Sequence, residues 1–283
     1  MKNLLISFGI IIGIFLLLII TFGAIAILIP EFDLNSYNGL IFAQSIQSIL
    51  LFGGAALLSI WVTERRNPLK QVDINKPIDI KQVLVITLFA VAAIPVITFF
   101  GELNALIKFP ESLSALEAML NEMAQANTLV LEKILNTSSY GRLGINLFII
   151  AVIPAITEEI MFRGWIQRIL NKSVGTHTAV WISAIIFSAI HMEFYGFIPR
   201  MIMGAGIGYL YASTGSLWSA ILAHFVNNAV ATIVAFISYN NLCSIDLNTL
   251  GDFNSWYIAI GGFAIALTIL IRFISNSSLK KIS

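Results

Sequence analysis

Two adjacent carboxylates, Glu158 and Glu159, close an apolar run that begins near Leu143. Ionisable groups at membrane depth are costly, and by default they mark a functional site. Glu159 and Arg163 are i,i+4 neighbours on one helical face and can pair. Glu158 is rotated by roughly 100° from Glu159 at about 3.6 residues per turn, which leaves it free to face something else. Two further apolar stretches carry Phe187-Ser188-Ala189-Ile190-His191 and His224-Phe225-Val226-Asn227-Asn228. Phe187 shares a face with His191, and His224 shares one with Asn228. A carboxylate stripped of water is a competent general base. Glu158 would take a proton from a water molecule attacking a peptide carbonyl, and His191 would orient that water or pass the proton. His224 and Asn228 would donate hydrogen bonds to the developing oxyanion, where preorganised donors are worth several kcal/mol. Arg163 would neutralise Glu159.

Blander readings stand beside these. A buried Glu–Arg pair also fixes helix packing, and a lone membrane histidine is often a satisfied helix–helix hydrogen bond. The chain has 3 histidines; His177, near the turn ahead of the fifth helix, reads as an interfacial residue. Metal chemistry is the other option. Two histidines and a glutamate match hydrolytic zinc sites, with Glu158, His191 and His224 as the ligands. The compact His-Glu-x-x-His spacing that would make a strong metal signal is absent. Both mechanisms stay open on the sequence.

The elements that must position these residues are membrane helices. Of 283 residues, 58% are hydrophobic and 11% charged, with mean hydropathy +0.90, which points to an all-α, polytopic membrane protein. The net charge of +1 and the lack of a long basic run argue against a nucleic-acid partner. Cys243 is the single cysteine, so no intrachain disulfide forms. A span of about 20 apolar residues crosses a bilayer. By that measure the sequence predicts about eight spans, roughly 4–29, 39–62, 82–101, 143–162, 178–194, 198–213, 217–238 and 255–274, around an intramembrane polar cavity. They form one domain over 1–283, and the N-terminal run reads as a retained first helix. Most Lys and Arg residues, including Arg65, Arg66, Arg168, Lys172, Lys280 and Lys281, fall on one side with both termini. Acidic residues such as Asp33, Glu102 and Asp246 fall on the other, so both termini are expected in the cytoplasm. Between the third and fourth spans, Leu113, Leu116, Leu120 and Met123 recur at helical spacing, predicting an amphipathic surface helix. Gly204 and Gly208 form a small-xxx-small pair suited to close helix packing.

Depth connects the polar residues. Glu158 and His191 stand almost symmetrically about a turn at Lys172–Gly175, which places them at similar depth on facing helices. At about 1.5 Å per residue, His224 lies roughly 13 Å beyond the next turn at Gly215 and His191 roughly 20 Å beyond its own. Helix tilt absorbs such a difference.

Taken together, Glu158-Glu159-x-x-x-Arg163-Gly164, Phe187-x-x-x-His191 and His224-x-x-x-Asn228 resemble the three ordered motifs of the CPBP family of intramembrane proteases. That group includes CAAX-processing endopeptidases and bacteriocin self-immunity proteins. The strong part of the resemblance spans about 143–238. It implies an eight-helix bundle with a membrane cavity, a catalytic Glu158, and His191, His224 and Asn228 around it. It also implies an enzyme of glutamic or metallo type, acting on a peptide or membrane-protein substrate within the lipid bilayer. Without a retention signal, the bacterial inner membrane is the expected location. Two other readings are carried forward: a non-catalytic immunity or membrane-binding protein, and a proton-coupled transporter. The second lacks the inverted repeat such proteins show.

Overall fold

The computed structural model describes residues 2–29, 31–65, 67–243 and 249–277; Arg66, Asp246, Lys280 and Lys281, used above for orientation, lie outside them. Regular structure among the described residues is helical. We label the main helices α1 (Leu5–Leu28), α2 (Tyr37–Glu64), α3 (Ile80–Ala105), α4 (Ser114–Leu135), α5 (Tyr140–Val174), α6 (Thr176–Ala189), α7 (Phe197–Thr214), α8 (Leu217–Tyr239) and α9 (Trp256–Asn276). Local signals explain the boundaries. Asp79 and Gln82 form a reciprocal capping box at the start of α3. Gly175 (φ 77°) and Gly215 (φ 65°) supply the left-handed turns that end α5 and α7.

Among the described residues, six helices are long and apolar enough to cross a membrane: α1, α2, α3, α5, α8 and α9. This is an integral membrane protein. The expected count of eight is not confirmed, and the difference falls on the fifth and sixth expected spans. α6 ends at Ala189 after 14 residues, about 21 Å at 1.5 Å per residue, short of the roughly 30 Å hydrocarbon core. α7 has 18 residues, but Pro199, Arg200 and three glycines dilute its apolar character. These two helices pair with each other inside the bundle.

The core lies where α2, α3, α5, α6, α7 and α8 meet, around Ile60, Ile86, Phe89, Phe162, Trp165, Phe187, Ile207, Leu210 and Ile221. α5 is the most buried of the long helices and α1 the least; α1 joins the bundle in part through Ser7, which accepts from Trp165 Nε1 at 3.2 Å. α4 is a helix at the expected place; Leu113, Leu116 and Met123 of the expected apolar pattern are exposed, and Ile134 alone of its residues is buried.

Candidate active site

α5 is not a uniform α-helix. It widens into π-helical turns at Leu147–Val152 and Ile160–Gln167, on either side of Ile153–Glu159. Such turns recur at functional sites because they re-aim side chains and disturb the regular backbone ladder. In each wide stretch a neighbouring helix bonds to a backbone carbonyl. Asn228 Nδ2 donates to Ile150 O at 3.1 Å, and Ser183 Oγ to Phe162 O at 3.0 Å. On the opposite face, Thr157 and Ser48 hydroxyls meet at 2.8 Å, which locks α5 to α2.

The two glutamates have separate surroundings. Glu159 is fully buried, and its Oε1 accepts from Arg163 Nη1 at 2.7 Å and from His224 Nδ1 at 2.7 Å. The expected i,i+4 pair is therefore formed, and α8 joins it. Arg163 Nη2 donates to Gly204 O at 2.8 Å, and its guanidinium lies 5.1 Å from the Phe187 ring centre. One turn later Gln167 Nε2 donates to Gly208 O at 3.0 Å. Gly204 and Gly208 thus do more than bring helices close: they open α7 backbone carbonyls to side chains of α5. A Cβ on Gly208 would stand 2.8 Å from Gln167 Oε1.

Glu158 is turned away from this network. It is 9% exposed, and its Oε2 stands 4.0 Å from His224 Nε2. Bonding partners set the tautomers. Glu159, facing a guanidinium, is an acceptor, so a neutral His224 carries its proton on Nδ1 and presents the lone pair of Nε2 towards Glu158. His191 Nδ1 lies 2.8 Å from Phe187 O; a carbonyl only accepts, so His191 likewise presents Nε2 as an acceptor. The Phe187 ring ties the pieces together, with ring centres 5.1 Å from His191 and 5.8 Å from His224.

This geometry modifies three expectations. His191 lies just past the end of α6, on the turn before Met192, and shares Phe187 with His224 rather than contacting either glutamate. Asn228 spends one amide hydrogen on Ile150 O and accepts from Asn227 Nδ2 at 3.2 Å on Oδ1. With Nδ1–H on Glu159, His224 donates from the Nε2 that faces Glu158 only when both ring nitrogens carry hydrogen. As for zinc, no three His, Cys, Asp or Glu side chains among the described residues converge closely enough to hold a metal ion. Glu158, His191 and His224 as arranged are not a ligand set, and no step below is routed through a metal. His177 sits exposed on the first turn of α6 with Nδ1 3.0 Å from Tyr209 OH. Cys243 is an exposed thiol.

Two residues near the site carried no sequence prediction. Asn104, at the end of α3 and 1% exposed, braces the loop after His191: Nδ2 donates to Phe194 O at 3.0 Å and Oδ1 accepts from Ile198 N at 2.8 Å. Arg200, in the first turn of α7, pairs with Glu193 Oε2 at 2.6 Å and stands within electrostatic reach of both Glu158 and His191. Arg200 was legible by the same criterion that singled out Glu158, as the one charge within the expected 198–213 span.

Residues 141–230 match the family model described as type II CAAX prenyl endopeptidase Rce1-like. This stretch is Rce1-like. The Rce1-like stretch holds all eight residues that the motifs name, and the resemblance to the CPBP family is borne out at that level. Two proteins of Bacillus subtilis (strain 168) are similar to this chain. "Putative membrane peptidase YdiL" is 31% identical over 84 residues, covering 30% of this chain and 34% of that protein. "Uncharacterized protein YpbD" is 29% identical over 89 residues, covering 30% of this chain and 43% of that protein. The matched region therefore spans less than half the length of either relative. No solved structure matches the chain.

Proposed function

We propose that this chain is an intramembrane endopeptidase that hydrolyses a peptide bond with a water molecule activated by Glu158. The observation that carries the reading is the pairing of Glu158 with an imidazole that a second carboxylate holds in one tautomer. An acceptor nitrogen and a carboxylate oxygen 4.0 Å apart are too far for a direct hydrogen bond and suited to holding one water between them. Glu158 takes a proton from that water while its oxygen bonds to the scissile carbonyl carbon, and the carbonyl π pair moves to oxygen. When the tetrahedral intermediate collapses, the C–N bond breaks and the amine leaves with the proton held by Glu158. One water is consumed, and a carboxylic acid and an amine are released. Glu159 keeps His224 in register, and Arg163 holds Glu159 in place from the other side.

The substrate under this reading is a peptide or membrane protein that reaches the site from within the bilayer. The chain functions as one domain in a bacterial plasma membrane with both termini in the cytoplasm, which the distribution of Lys and Arg supports. The test is to incubate purified protein in detergent with a mixture of synthetic peptides, with and without a chelator, and to identify products by mass spectrometry. The same products at the same rate in both arms are expected. Loss of cleavage in the chelator arm alone would contradict the metal-free mechanism.

A further inference from the structure

The bundle holds an apolar cavity that the hydrolytic site does not use. Its volume is about 170 Å³, and α3, α6, α7, α8 and α9 all contribute walls. Small residues create the space: Ala93 on α3, Ala205 and Gly206 on α7, Ala223 on α8 and Ala266 on α9. Ala93 and Ala266 stand at the midpoints of two spanning helices, so the cavity lies near the centre of the bilayer. Its lining is almost wholly hydrocarbon. Of the polar side chains there, Tyr209 meets His177 at 3.0 Å and Asn227 donates to Asn228 at 3.2 Å. A buried water needs about 2–4 polar partners, whereas an engineered apolar cavity of about 150 Å³ stays dry and takes up benzene. Hydrocarbon is the filling that this lining selects.

The cavity is continuous with the surface that faces lipid. Phe263 and Leu267 of the spanning helix α9 line it while remaining 50% and 41% exposed. Val96 and Phe263 also line a second apolar furrow, of about 360 Å³, which runs along α3 and α9 past Phe99, Phe100 and Ile260 to Trp256. Trp256 and Tyr257 are exposed in the first turn of α9, and such aromatic residues mark the headgroup level. The combined lining extends from Trp256 to Leu270, about 21 Å of α9 at 1.5 Å per residue. That exceeds one leaflet's share of the roughly 30 Å hydrocarbon core. The inner wall includes Ala223 and Asn227, each one position before His224 and Asn228 on α8.

We propose that the furrow and cavity bind one acyl chain of a bilayer phospholipid, which enters at the level of Trp256 and ends against α7 and α8. A void there would leave its lining atoms without contact partners on one side, and the chain supplies them. A peptide segment would bring backbone N–H and C=O groups that this lining cannot satisfy; an acyl chain brings none. The site stands whether or not the protein cleaves peptides.

The experiment reconstitutes the full chain in vesicles of phosphatidylethanolamine and phosphatidylglycerol, with a trace of phosphatidylethanolamine carrying a diazirine on one acyl chain. After irradiation, labelled residues are mapped by mass spectrometry. Labelling is expected at Met203 and Ile207 of α7, which line the cavity, and at Leu16 and Ile20 of α1, which face outwards. Ala93→Phe fills the cavity and should lose the α7 label while keeping the α1 label. Ala266→Leu is the milder filling and takes its place if thermal melts show that the phenylalanine variant does not fold. No α7 label in wild type, or an undiminished α7 label in a folded filled variant, would overturn the assignment. Loss of the α7 label on adding an excess of apolar peptide would also overturn it and give the cavity to a peptide side chain.

Discussion

Glu159 Oε1 and His224 Nδ1 lie 2.7 Å apart although 65 positions separate them in the chain. That bond joins α5 to α8 and decides which nitrogen of His224 faces Glu158. The second carboxylate of the Glu-Glu pair is therefore an orienting group, and removing it has two separable consequences. Glu159→Ala strands the buried guanidinium of Arg163, and loss of one partner of a buried pair costs about 3–5 kcal/mol. Glu159→Gln preserves shape and the acceptor oxygen that Arg163 and His224 share, but removes the negative charge that faces both. We expect a clear drop in melting temperature for the alanine variant. The glutamine variant should melt closer to wild type yet lose most of its turnover.

The loop that carries His191 depends on a residue far from the motifs. Asn104→Ala removes both bonds to that loop and leaves the Ile198 N–H without its acceptor, a change worth about 1–3 kcal/mol. Hydrogen exchange followed by mass spectrometry should show faster exchange across 190–198, with α5 and α8 unchanged. Equal protection in the variant would mean that the loop is held by other contacts.

Gly164 follows Arg163 because α5 passes close to the segment between α2 and α3. A Cβ at Gly164 would stand 2.9 Å from both Cβ and Cγ1 of Val72, which is fully buried. Gly164→Ala is expected to cost about 1–3 kcal/mol through overpacking. Combining it with Val72→Ala should cost less than the two single changes added together, since the second opens the space the first needs. Strict additivity in thermal melts would argue against the contact.

One pH effect lies outside the membrane. The Ser255 hydroxyl, then the backbone N–H groups of Ser255 and Asn254, hold the Asp252 carboxyl below its ordinary value in the folded chain. A carboxylate whose folded value is depressed contributes stability above its unfolded value, near 3.9, and loses it as pH falls through the folded one. The turn before α9 should therefore loosen only in acid, below about pH 4. Asp252→Asn should exchange faster at neutral pH and lose that acid dependence.

The parts of this arrangement that were readable in sequence are those governed by helical spacing. The Glu159–Arg163 bond, the contact of Phe187 with His191, and the turn at Gly175 follow from i,i+4 geometry and glycine chemistry. The approach of His224 to the Glu pair followed from comparing depths along neighbouring helices. Other features obey no local period. The wide turns of α5 leave no composition signal, yet one of them places Ile150 O where Asn228 takes it. Apolar content alone could not tell the short α6 from a spanning helix, since a run of about 14 apolar residues also suits a buried core helix. A positive-inside count treats every Lys and Arg as a topology marker, so it gives Arg200 no place at the site. The long-range bonds of Asn104 across 90 positions have no sequence signature at all.

The most direct measurement is cleavage of a membrane-embedded reporter by Glu158→Gln, with wild type assayed alongside. The account predicts that turnover falls by about 10²–10⁴-fold, the usual share of a general base, while expression and melting temperature in detergent stay near wild type. A folded Glu158→Gln protein that cuts the reporter at the wild-type rate would contradict it.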